Sequence, residues 1–246
     1  MSLPVHWVES LTGVGPGDLV EVDGDEAHHA VAVRRLREGE RLVITDGAGT
    51  TLSGAVHTTG KRRLTVVVDD VLHVAEPEPR VTVVQALPKG DRGELAVEVL
   101  TEVGAATVVP WAAARSVAVW RGERAEKSLA RWRATAREAA KQSRRAWFPV
   151  VEPLATTDEI CRLVGGADLA LVLHEEATTA LAALPVAAHG SVVVVVGPEG
   201  GLTDDEVATL VAAGGRAVRL GPEVLRTSTA GVVAAAALLA RTPRWG

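Results

Sequence analysis

At 246 residues and 25.6 kDa, with 47% hydrophobic and 23% charged side chains, the chain is too apolar for a disordered polymer and long enough for a small domain plus a medium one. Its single cysteine, Cys161, excludes an internal disulfide or a cysteine-based zinc site and points to a reducing, cytoplasmic setting. The net charge of −5 is uneven: residues 80–148 carry 13 basic against 7 acidic side chains, whereas 1–75 carry 7 against 11 and 149–246 carry 6 against 11, so a local basic surface is expected on an acidic protein.

The N-terminus, MSLPVHWVES, has neither a basic residue before Arg34 nor an apolar core, so no export signal is expected. Residues 1–75 read as mainly β. Glu40–Asp46, Thr51–His57 and Arg63–Val74 are runs rich in β-branched residues, separated by the turns Asp46-Gly47-Ala48-Gly49 and Thr59-Gly60-Lys61. One helix is expected between Asp25, a candidate cap, and Arg37. The prolines and glutamates of 76–79 form a linker. From Arg80 strands and helices alternate: strands Val81–Leu87, Thr107–Pro110, Asp168–Leu173, Val192–Val196 and Ala217–Leu220, and helices near 92–103, 123–145, 157–164, 176–183, 204–213 and 228–241. That order implies a mostly parallel sheet covered on both faces. The longest apolar run, Ala230 to Ala240, falls short of the roughly 20 residues a membrane span needs.

In open α/β sheets ligands bind beyond the carboxyl ends of the strands. Two Gly-Pro-Glu turns follow consecutive strands there. Gly197-Pro198-Glu199-Gly200-Gly201 leads into a capping box, Thr203 with Glu206; its spacing fits neither the dinucleotide fingerprint nor the P-loop, and a tight strand-to-helix turn is the plain alternative. Leu220-Gly221-Pro222-Glu223-Val224-Leu225 precedes Arg226, a cation beside apolar residues and just before a helix, suited to an anionic ligand. Thr227, Ser228 or Thr229 can cap that helix. On the helix from Glu123, Ala125, Leu129, Trp132 and Ala136 mark a buried side, and Arg133, Arg137, Lys141 and Arg144 form a basic stripe. Trp111, Trp120, Trp132 and Trp147 lie in the same basic segment, a combination that fits nucleic acid as well as a solvated helix face. His28, His29 and His174 show no metal-ligand spacing, so no metal is expected.

Read together, several segments in order resemble the RsmE family of ribosomal RNA uridine-N3 methyltransferases, of the SPOUT class. They are His29 to Arg35 with Gly39; Gln85 to Arg92; Thr101-Glu102-Val103-Gly104, then Pro110 and Arg115-Ser116; Glu138 to Arg145; Gly197 to Gly201; and Leu220 to Ala230. The resemblance implies an α/β protein with a PUA-like β-barrel over 1–75, a linker over 76–79, and a SPOUT domain with a deep trefoil knot over 80–246. It implies S-adenosylmethionine as cofactor, held by Leu173, His174, Gly197, Pro198, Glu199, Gly200, Gly201, Leu220, Gly221 and Leu225. It further implies a homodimer and, as partner, ribosomal RNA or the assembled small subunit, contacted by Arg34, Arg35, Lys89, Arg133, Arg137, Lys141 and Arg144. Ser228 departs from the family, which carries a glutamate at this position. Arg226 is therefore expected to position the substrate and Ser228 to cap the helix. A knotted methyltransferase for another RNA, such as transfer RNA ribose, and a non-catalytic RNA-binding protein are the alternatives.

Overall fold

The computed structural model describes residues 3–246, which divide into two units. One runs to Glu76 and includes Ala140–Phe148; the other comprises Pro77–Ala139 and Pro149–Gly246.

The first unit is built on a five-stranded sheet of β1 (Val5–Trp7), β2 (Leu19–Asp23), β3 (Arg41–Thr45), β4 (Thr50–Thr59) and β5 (Arg63–His73), in the order β1-β3-β4-β5-β2. Alternate residues face one core, which holds Val22, Leu42, Ile44, Leu52, Leu64 and Val66. The expected helix is shorter than its pattern. Helix α1 (Gly24–His28) passes into a π-helical turn, His29–Val33, and stops where Arg35 adopts a left-handed backbone (φ 58) and Leu36 N–H bonds Ala30 C=O at 3.1 Å. Asp25 lies inside the first turn and pairs with Arg62; the N-cap is Asp23, without a side-chain bond. The segment 140–148 docks through Trp147, whose indole N–H donates to Val74 C=O at 2.8 Å and whose ring leaves room only for glycine at Gly49, where a Cβ would stand 2.6 Å away.

The second unit is a six-stranded sheet, all of its pairs parallel, formed by β6 (Arg80–Ala86), β7 (Thr107–Trp111), β8 (Val150–Val151), β9 (Leu169–Leu173), β10 (Ser191–Val196) and β11 (Arg216–Val218) in the order β11-β9-β10-β6-β7-β8. Central β10 shows why its sequence lacks polar alternation. Val192, Val194 and Val196 enter one core with Leu100 of α2 (Arg92–Val103) and Ala234, Ala235 and Leu238 of α6 (Thr227–Leu239), while Val193 and Val195 enter another with Ile160 of α4 (Thr157–Gly165) and Leu210 of α5 (Asp204–Ala212). Each buried valine contributes about 1.5 kcal/mol or more. The remaining long helix, α3, spans Glu123–Gln142. No helix among the described residues is long and apolar enough to cross a membrane.

The helix expected over 176–183 is reduced to one 3₁₀ turn, Leu181–Ala183. Arg219 N–H bonds Thr179 C=O at 2.9 Å and Leu181 N–H bonds Arg219 C=O at 2.9 Å, so the backbone groups a helix would use are taken by strand-like pairing. The small residues Ala234 and Ala235 of α6 are buried inside the chain, and a Cβ on Gly231 would meet Leu100, Val83 and Val196 at 3.2–3.3 Å. Small side chains here let α6 approach the sheet.

Candidate active site

Strands β11, β9, β10 and β6 stand side by side in parallel, so their carboxyl ends release four connecting segments at one edge of the sheet. Leu173 ends β9, and His174 N–H bonds Val218 C=O at 3.0 Å, tying two of those ends together. Gly197–Gly201 follows β10, and Leu220 and Gly221 follow β11. The expected cofactor residues are thus brought to one end of three neighbouring strands.

The glycine loop is held open by its neighbours. Arg115 Nη1 donates to the carbonyls of Gly200 (3.1 Å) and Leu202 (3.2 Å), and Lys89 N–H donates to Glu199 Oε1 (3.1 Å). The Thr203/Glu206 capping box forms as expected. Glu206, largely buried, also accepts from Ala114 N–H at 2.7 Å, fastening the segment after β7 to the start of α5. Arg115 and Glu206 were not among the expected site residues; the Arg115-Ser116 and capping-box patterns were visible, but a clamp between segments 85 to 92 residues apart was not. Gly201 has φ +71, and a Cβ there would find only Arg115 Nη1, at 3.9 Å. That open side leaves the backbone accessible to a flat or extended ligand, which fits an adenosine-type cofactor. No group of three or more His, Cys, Asp or Glu that could hold a metal occurs among the described residues.

Arg226 is exposed and supplies the N-cap of α6 through its backbone, its C=O accepting from Thr229 and Ala230 N–H at 2.9 Å. This corrects the expectation for Ser228. It occupies the second helical position, is buried (3% exposed), and the helix has no side-chain cap bond. Buried Gln85, at the end of β6, donates from Nε2 to Thr227 C=O at 3.3 Å, which fixes the first turn of α6, and with it Arg226, against the sheet.

The basic stripe is not uniform. Arg133 is exposed, with Nε donating to Val151 C=O at 3.0 Å, Arg137 is half-buried, and Arg144, Lys89, Arg34 and Arg35 are exposed. Lys141 departs from it: 8% exposed, it binds Glu26 Oε1 at 2.5 Å, so it serves the first unit's interior rather than RNA. His6 Nδ1 stands 3.5 Å from Glu26 Oε2, an electrostatic contact rather than a good hydrogen bond. Burial raises the Glu26 carboxyl pKa, but His6 and Lys141 outweigh that effect and lower it from 4.5 to about 2. The stability this ionised carboxylate contributes is complete above about pH 4.5 and is lost as pH falls towards about 2. Thermal melts are expected to show that loss, and Glu26→Gln should abolish this part of the acid dependence; an unchanged profile would mean that the pair adds nothing. The four tryptophans of the basic segment likewise serve packing. Trp111 and Trp132 are buried, Trp120 meets Trp132 edge-on at 5.0 Å and 79°, and Trp147 is docked as described, so none is presented as a platform for bases.

Comparison with known proteins places these observations. Residues 76–239 match the RNA methyltransferase domain family and residues 22–69 the RNA methyltransferase PUA domain family. The chain is 48% identical to ribosomal RNA small subunit methyltransferase E of Mycobacterium tuberculosis, across 98% of this chain and 93% of that protein. It is 32% identical to the Bacillus subtilis protein of the same name, across 90% of each. Among solved structures it resembles ribosomal RNA small subunit methyltransferase E of Neisseria gonorrhoeae bound to S-adenosyl methionine, with a TM-score of 0.88 at 26% identity over 97% of both chains.

Proposed function

Since the chain belongs to the RsmE family of SPOUT-class ribosomal RNA methyltransferases, which use S-adenosylmethionine and act on 16S ribosomal RNA, we propose that it transfers a methyl group to N3 of a uridine in that RNA. The observation that carries the reading is the convergence of the open glycine loop, the ends of β9 and β11, and Arg226 at one edge of the sheet.

When bound, S-adenosylmethionine supplies an electrophilic sulfonium methyl. The loops at 197–201 and 220–225, with Leu173 and His174, hold the donor, and Arg115 and Glu206 keep the glycine loop in shape. Uracil N3 forms the new bond to the methyl carbon as the carbon–sulfur bond breaks, and the N3 proton leaves to solvent or a base. The exposed Arg226 guanidinium orients the uracil or its phosphate and favours the negative charge that develops as N3 loses its proton. The base must leave any helical stack to reach this site.

The same reading includes the finer points of architecture: a barrel over 1–75 that binds RNA, a catalytic domain over 80–246 threaded as a deep trefoil knot, a homodimer, and a cytoplasmic enzyme that acts on ribosomal RNA or the assembled small subunit. The PUA-family match supports the RNA-binding role of the first unit, and the relatives that modify small-subunit ribosomal RNA support the substrate. The test is methyl transfer from labelled S-adenosylmethionine to small subunits isolated from a strain lacking the enzyme, expected to label 3-methyluridine. Label confined to ribose, or to transfer RNA offered in parallel, would favour the alternative knotted methyltransferase.

A further inference from the structure

Gln85 lies fully buried near the end of β6, among Val83, Val84 and Ala86, and its register neighbours are Val196 of β10 and Pro110 of β7. Its Nε2 donates to two carbonyls, that of Ala86 at 3.1 Å and that of Thr227 at 3.3 Å. Turning the amide over would set Oε1 against both carbonyl oxygens, so these bonds fix its orientation. Oε1 is then left buried and without a hydrogen-bond partner among the described residues. Other buried polar side chains of the second unit bond within their own turn: Thr101 Oγ1 donates to Val97 C=O at 2.7 Å and Thr242 Oγ1 to Leu239 C=O at 2.8 Å. An apolar residue of the same shape, such as methionine, would fill the place of Gln85 without leaving a buried acceptor unpaired, so packing does not call for an amide here.

The amide ties the end of β6 to the start of α6, 142 residues on in the chain. A neutral amide nitrogen can give one proton to each carbonyl, which a carboxylate cannot. Elsewhere α6 meets its neighbours through close apolar contact, with Gly231 against Leu100, Val83 and Val196. Apolar burial is non-directional and lets a helix slide, whereas a hydrogen bond holds one atom to one place. Arg226 immediately precedes Thr227, and Val196 immediately precedes Gly197, so Gln85 bonds the element that carries Arg226 and lies beside the strand that carries the glycine loop. We infer that Gln85 is a positioning residue for methyl transfer: through Thr227 it sets where Arg226 stands relative to the glycine loop. This deepens the proposed function and rests on the role that it gives Arg226.

The experiment is a double-mutant cycle of Gln85→Met and Arg226→Ala, read as methyl transfer from labelled S-adenosylmethionine to unmethylated small ribosomal subunits. Gln85→Met should melt within about 4 °C of wild type. It should keep its KM for S-adenosylmethionine while kcat falls by about tenfold or more. In the Arg226→Ala background the same substitution should change kcat by less than about twofold, because no guanidinium is left to misplace. Amide hydrogen exchange in Gln85→Met should be faster at Thr229 and Ala230, whose N–H groups bond Arg226 C=O. Gln85→Asn, a methylene too short to bridge to Thr227, should repeat the loss of kcat. An unchanged kcat, the full loss repeated in the Arg226→Ala background, or unchanged exchange overturns the inference. So does a fall in melting temperature of about 10 °C or more in both variants, which would make Gln85 a residue of the fold. If the wild-type protein transferred no methyl group to the subunits, the functional reading would fail, and hydrogen exchange would still decide whether Gln85 holds the start of α6.

Discussion

Arg226→Ala is expected to lower turnover on small ribosomal subunits by about 100-fold or more at saturating S-adenosylmethionine, the scale of loss that follows when a reacting group is no longer positioned. The substitution removes an exposed side chain, while the cap of α6 is made by the backbone carbonyl of the same residue and survives. Folding and cofactor affinity should therefore stay close to wild type, and the loss should appear in kcat. Ser228→Ala is the contrast: Ser228 lies buried at the second position of α6 without a cap bond, so its removal should leave the rate nearly unchanged. Labelled methyl transfer that survives Arg226→Ala but vanishes in Ser228→Ala would reverse the two assignments.

Gly201→Val should abolish cofactor binding. The new side chain would project into the open side of the glycine loop, where only Arg115 Nη1 now stands within 4 Å. It also imposes a left-handed backbone on a β-branched residue, a cost of about 1–2 kcal/mol. Gly214→Val separates the two effects, because Gly214 has φ +109, nothing within 4 Å of its would-be Cβ, and a position at the far end of α5. Both variants should lose comparable stability, and only Gly201→Val should lose affinity for S-adenosylmethionine by calorimetry. Equal affinities in the two folded variants would remove the glycine loop from the binding site.

The sequence made the catalytic unit legible where local pattern and tertiary role agree. The unbroken valine run of β10 sits in the sheet centre because both of its faces are covered, and Thr203 and Glu206 cap α5 as their spacing requires. What escaped was set by distant partners. β1 and β8 are three and two residues long, too short to show a period, and exist through pairing with β3 and β7. β2 does alternate, with Val20 and Val22 inward, and is legible in the sequence as a short strand. The basic stripe failed at Lys141 for a similar reason: helical spacing says which residues share a face, but not that Glu26, 115 residues away in sequence, would meet that face. Ser228 does not cap α6 because the helix begins at Thr227, and sequence alone does not place a helix start to within two residues.

We propose that this chain methylates uridine N3 in small-subunit ribosomal RNA through the site around Arg226 and the glycine loop. Mass spectrometry of nucleosides from the 16S RNA of a strain deleted for the protein tests it most directly. 3-Methyluridine is expected to disappear on deletion, to return when the wild-type chain is supplied, and to fail to return with Arg226→Ala or Gly201→Val. Undiminished 3-methyluridine in the deletion strain, or full restoration by either variant, would contradict it.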